Sequence, residues 1–114
     1  MTLQELYKLL SKELDIPIWY CEAEQEQLPY IVYQDLSTSY TYASGRPYVE
    51  TINLELIHFA KKGENPTLEQ LKQVLHNNKI MFSINTVFDH ESKNIINQFM
   101  LTISADMEMI YEDN

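Results

Sequence analysis

The side chains able to move a proton, hold a metal or attack a substrate are few in this 114-residue chain: three histidines, one cysteine and seventeen carboxylates. No two of His58, His76 and His90 share the i, i+4 helical spacing that builds a metal site, and no His-Glu-x-x-His occurs. Asp89-His90-Glu91 carries ligand-type side chains, but adjacent residues of this kind in a loop are ordinarily solvated, and no metal is expected there. His76, near the end of a helical stretch, suits the negative end of a helix dipole. Glu22, Glu24 and Glu26 would share one face of an extended segment. Paired carboxylates can act as acid and base or bind calcium, yet the glycine and mixed oxygen ligands of a calcium loop are missing, and an exposed acidic edge is the simpler reading. Cys21 sits between Tyr20 and Glu22, surroundings that disfavour a thiolate, and reads as inert. No Gly-x-Ser-x-Gly is present, and with only Gly45 and Gly63 no phosphate-cradling loop can form. The chain is therefore expected to be no enzyme, with no catalytic residue, cofactor or metal.

Charge narrows the partners. Eight Lys and Arg stand against seventeen Asp and Glu, a net charge of −9. Arg46 is the only arginine. Grip on nucleic acid draws on clustered Lys and Arg, and anchoring on anionic lipid needs the same, so neither is expected. Between Lys12 and Arg46 lie six acids and no base, Glu13, Asp15, Glu22, Glu24, Glu26 and Asp35, which gives one end of the molecule a negative field. A single cysteine permits no intrachain disulfide and fits a reducing origin. The first residues show no basic region followed by a long apolar run, so no signal peptide is expected, and no window approaches a membrane span.

The tyrosines point elsewhere. Five of eight, Tyr30, Tyr33, Tyr40, Tyr42 and Tyr48, fall within nineteen residues. Tyr30 and Tyr33 lie among β-branched and aromatic residues and read as ordinary strand residues. Tyr40 and Tyr42 lie among Ser and Thr with no aliphatic neighbours, so they read as a contact surface, continued by Arg46 and Tyr48.

The elements that must position these residues follow from periodicity. Thr2 and Glu5 form a capping box, and Leu3, Leu6, Tyr7, Leu10 and Leu14 make one stripe of a helix over residues 3–14, stopped ahead of Pro17. A short strand is expected at 18–21 and a stronger one at 30–36, entered through Pro29. Residues 37–45 could form a strand pair or a flexible loop. A long strand at 48–60 alternates Ile52, Leu54 and Leu56 with polar residues. A second helix spans 65–76, with Asn65 as N-cap, Pro66 at its first position and an αL stop at Asn77-Asn78. Strands at 79–85 and 97–108 close the chain, joined by a loop at 86–94. Strands occur in runs rather than alternating with helices, so the fold class is α+β, a single domain over 1–114, mostly antiparallel with two helices packed on the sheet in the order α-β-β-β-α-β-β. Leu6, Leu10, Leu54, Leu56, Leu71, Leu75, Phe99 and Leu101 should form the core.

Taken in order, the amino-terminal helix, Leu28-Pro29-Tyr30-Ile31-Val32-Tyr33, the polar tyrosine-bearing stretch leading through Ser44-Gly45-Arg46-Pro47-Tyr48 into the long strand, Lys61-Lys62, the second helix and the last long strand resemble the tail terminator, or tail-to-head joining, proteins of phages with long non-contractile tails. The resemblance covers nearly the whole chain as a pattern of elements rather than a diagnostic motif. It implies a structural virion protein of the neck, assembled in the host cytoplasm, that forms a homo-oligomeric ring, a hexamer in that family. Such a ring caps the major tail tube protein and meets the head-completion or connector protein, while DNA passes through without specific binding. Two alternatives stand beside it: another head-tail connector or head-closure component, and a small acidic inhibitory or regulatory protein. The acids here are interleaved in helices and strands rather than spread over one surface at phosphate-like spacing, which speaks against the last.

Overall fold

A computed structural model describes residues 1–63 and 66–107. Its elements run α1 (Leu3–Glu13), β1 (Ile18–Tyr20), β2 (Tyr30–Ala43), β3 (Arg46–Lys61), α2 (Pro66–Asn77), β4 (Phe82–Asp89) and β5 (Asn94–Asp106). The α+β class and the element order are those the sequence pattern implies.

Each helix is bounded by a local device. In α1 the Thr2 hydroxyl accepts from the Glu5 amide at 3.1 Å, and the Glu5 carboxylate accepts from the Thr2 amide at 3.0 Å. Two orphan amides of the first turn are thus satisfied reciprocally. The bond from the Thr2 amide is the main cause that holds the Glu5 carboxyl below its ordinary pKa. The chain leaves the helix at Leu14, whose backbone is extended and whose amide still reaches the Leu10 carbonyl. At the far end of α2, Lys79 rather than Asn77 or Asn78 takes the left-handed conformation (φ 57°). The Ile80 amide reaches the Leu75 carbonyl at 2.9 Å and the Lys79 amide reaches His76 at 3.0 Å, a Schellman closure in which buried Ile80 belongs to the same core as Leu75. Asn78 contributes differently, donating its side-chain amide to the Val74 carbonyl at 2.8 Å. The proposed N-cap Asn65, Glu64 and the last residue of the 97–108 strand lie outside the described residues.

The sheet has five strands in the order β1-β2-β3-β5-β4. β1 runs parallel to β2, and the other pairings are antiparallel. Ile80 belongs to the helix stop and not to a strand, so β4 starts later than its apolar alternation suggests. It also continues through Thr86, Val87 and Phe88 to Asp89, leaving a tight turn where the sequence suggests a loop. Alternation sorts the two faces. Ile52, Leu54, Leu56 and His58 of β3 and Asn97, Phe99, Leu101 and Ile103 of β5 face the helices, and all are buried. They meet Leu6 and Leu10 of α1 and Leu71 and Leu75 of α2 in one core. All eight expected core residues are at most 3% exposed, and burying each contributes roughly 1.5–3 kcal/mol. The opposite face carries no helix among the described residues. Its middle is a polar ladder, in which Thr102 donates to Asn53 at 2.7 Å and Asn53 donates to Ser37 at 3.1 Å.

Residues 37–45 form neither a loop nor a separate strand pair. Residues 37–43 extend β2, whose register with β3 continues from Ser37↔Asn53 to Ala43↔Arg46, with irregularities after Asp35 and after Thr41. Ser44 (φ 54°) and Gly45 (φ 77°) make the two-residue turn. Two consecutive positive φ values are what a tight hairpin between right-twisted strands requires, and Gly45 takes its share without steric cost.

Candidate functional site

Every residue at positions 35–48 is exposed, and the buried side chains of β3 begin only at Ile52. The β2–β3 hairpin therefore projects as an arm beyond the part of the sheet that the helices cover, and the molecule measures 52 × 27 × 24 Å along its principal axes. β5 supports the arm from one side as far as Val49, which pairs with Asp106. Past that point the arm is two-stranded among the described residues, with Tyr42 opposite Pro47 and Ala43 opposite Arg46.

The expected interface residues all lie on this arm. Tyr40, Tyr42 and Tyr48 are 42%, 63% and 46% exposed. The Tyr40 and Tyr42 rings lie 6.5 Å apart at 56°, an edge-inclined pair on one side of β2. Arg46 begins β3 at the turn and is exposed. Tyr30 and Tyr33, by contrast, are buried. Tyr30 stacks on Phe59 at 4.7 Å, and burial pushes its hydroxyl pKa up.

A second aromatic group lies at the root of the arm, and the spacing of the tyrosines did not reveal it. Tyr7 of α1 and Tyr20 of β1 both meet Tyr33, at 6.0 and 5.2 Å between rings. With Leu3 and Gln4 they line a shallow groove of about 340 Å³. The Tyr20 hydroxyl donates to the Asp35 carboxylate, which is the main reason its pKa is raised. Only the parallel β1–β2 pairing brings Tyr20 beside Tyr33, and that pairing has no local sequence signal.

His58 is likewise not solvated. It continues the buried series Ile52, Leu54, Leu56, and that parity was the available signal. Its ring joins a polar row across the sheet: the Thr86 hydroxyl donates to Asn97 Oδ1 at 2.9 Å, and Asn97 Nδ2 lies 3.3 Å from His58 Nδ1. His58 Nε2 lies 2.7 Å from the Thr67 hydroxyl. Because Asn97 Nδ2 can only donate, Nδ1 is the acceptor and the proton sits on Nε2. Burial lowers the pKa to about 4. This is a satisfied core histidine that ties β3 to β5 and to the start of α2.

Asp89 closes the β4–β5 turn, accepting from the Ser92 hydroxyl at 2.7 Å and the Glu91 amide at 3.2 Å, which lowers its pKa. His90 packs edge-on against Phe88 at 4.9 Å. Cys21 is exposed, and Glu22, Glu24 and Glu26 are exposed in the segment between β1 and β2. Among the described residues no group of His, Cys, Asp and Glu is arranged to hold a metal ion, and no helix is long and apolar enough to cross a membrane. No known family model and no curated protein sequence matches the chain.

Proposed function

We propose that this protein is a structural component of a phage neck, a terminator that caps the tail tube as a ring and joins it to the head connector. The observation that carries the reading is the arm. A hairpin that is exposed over 35–48, polar, and studded with Tyr40, Tyr42 and Tyr48 buries little on its own domain. Aromatic side chains held on a strand hairpin suit a protein contact, where a few anchors supply much of the binding energy. The α-β-β-β-α-β-β order with both helices on one sheet face supports the reading, as does the −9 charge. An acidic conduit repels the phosphate backbone and would let DNA pass. On this reading Tyr40, Tyr42, Arg46 and Tyr48 meet a neighbouring subunit or the tail tube protein.

Electron microscopy of the purified protein, alone and mixed with tails lacking their terminator, tests this. The proposal expects rings, and density added at the head-proximal end of tails. Particles that stay monomeric and leave tail ends bare would remove the reading.

A further inference from the structure

The sheet ends in two edges of different charge. β1 accompanies β2 only as far as Tyr33, so the outer side of β2 beyond that point has no neighbouring strand among the described residues. β4, the last strand in the order, forms the opposite edge over eight residues. Sheet proteins usually guard such edges with Lys or Pro. Neither edge has that guard: Gln-Asp-Leu-Ser-Thr-Ser-Tyr-Thr-Tyr-Ala (34–43) and Phe-Ser-Ile-Asn-Thr-Val-Phe-Asp (82–89) contain no Lys and no Pro. Irregularities after Asp35 and after Thr41 bound the regular stretch of the first, 37–41.

Charge distinguishes the two sides. Beside β1 and β2 stand Asp15, Glu22, Glu24, Glu26 and Asp35, all exposed, against one base, Arg46 at the turn. On the adjacent α1, Lys8 and Lys12 are balanced by Glu5 and Glu13. Around β4, Lys61, Lys62, Lys79 and Lys93 outnumber Asp89, Glu91 and Glu55, the last in the register row of Met100 and Ser83. Lys61 shares a register row with Asn94 and Asp89, Lys62 lies 5.9 Å from the Phe88 ring centre, and Lys79 and Lys93 flank the strand.

We infer that a second copy of this chain occupies the arm edge: the outer side of β2 around Ser37, Ser39 and Thr41 pairs with β4 of the next copy, extending one sheet into the other. Main-chain hydrogen bonds supply the contact, as in other strand additions, and the acid-to-lysine pairing selects β4 over a second β2. The contact joins two different surfaces, so it repeats from copy to copy and closes into a ring when the rotation permits. This deepens the ring reading and rests on it only for closure.

Charge swaps on the two edges test the contact in purified protein, without tails. Ser39→Lys with Thr41→Lys makes the arm edge basic, and Ser83→Glu with Asn85→Glu makes the β4 edge acidic. All four positions are exposed, so circular dichroism melts should match the parent. Sedimentation velocity at low salt should show the parent assembled, each double variant reduced to monomer, and an equimolar mixture of the two restored to the parent's assembly. Restoration follows because both contacts in an alternating array are then matched. A parent that stays monomeric at its highest soluble concentration overturns the inference. So does a β4 variant that assembles like the parent, which would assign the contact to two arms, or a mixture that is not restored. Each result is independent of whether tails are capped, so loss of this contact and loss of the tail-capping reading are separable.

Discussion

Acidification isolates the contribution of His58. In the unfolded chain this imidazole takes up a proton near pH 6.5, whereas in the folded protein burial delays protonation to about pH 4. Between these values the unfolded state binds more protons, so stability falls as the pH drops. The contribution is complete above about pH 6.5, is lost progressively below it, and stops changing once the folded ring is also charged near pH 4. At pH 4.5 the two titrations imply a loss on the order of 2–3 kcal/mol, a sizeable part of the roughly 5–15 kcal/mol that holds a small domain together. Geometry explains the cost: a proton on Nδ1 would face the Asn97 Nδ2 donor 3.3 Å away, and the ring is fully buried. Urea unfolding between pH 7.5 and 4.5 gives the profile, and ring NMR shifts report the titration directly. His58→Leu should remove most of the slope across this window. A His58 ring that titrates near pH 6.5, or parent stability unchanged from pH 7 to 4.5, would refute the argument.

Leu54→Ala removes a fully buried side chain facing both helices and should cost roughly 2–5 kcal/mol in denaturant unfolding; a cost under about 0.5 kcal/mol would break the assigned register. Tyr40→Ala with Tyr42→Ala should leave the melting temperature nearly unchanged yet weaken assembly or tail capping; collapse of the fold would place these rings in the core instead. Duplex DNA should not bind with submicromolar affinity at about 150 mM salt, as fluorescence anisotropy would show, since the chain carries one arginine and a net charge of −9.

The parts of the fold legible in sequence were those set by strong local chemistry. Thr2 and Glu5 announce the start of α1, the leucine stripes announce both helices, and alternation in β3 and β5 identifies the buried face. What escaped was set by partners distant in sequence. The 37–45 stretch has no apolar alternation, and it is a strand because β3 runs alongside it and Ser44-Gly45 turn the chain back. Ile80 looks like the first apolar residue of a strand but serves the Schellman closure, because Lys79 accepts a positive φ that Asn78 was better suited to supply. The arm tyrosines were legible as surface residues from their Ser and Thr neighbours. The groove of Tyr7, Tyr20 and Tyr33 was not, because a parallel pairing assembles it from three elements.

Cryo-electron microscopy of tails assembled with this protein tests the central claim most directly. The account predicts a single ring of the chain seated on the head-proximal end of the tail tube, with Tyr40 and Tyr42 buried against a neighbouring subunit or the tube. Tails whose ends carry no such ring, or a ring in which the 35–48 arm points freely into solvent, would contradict it.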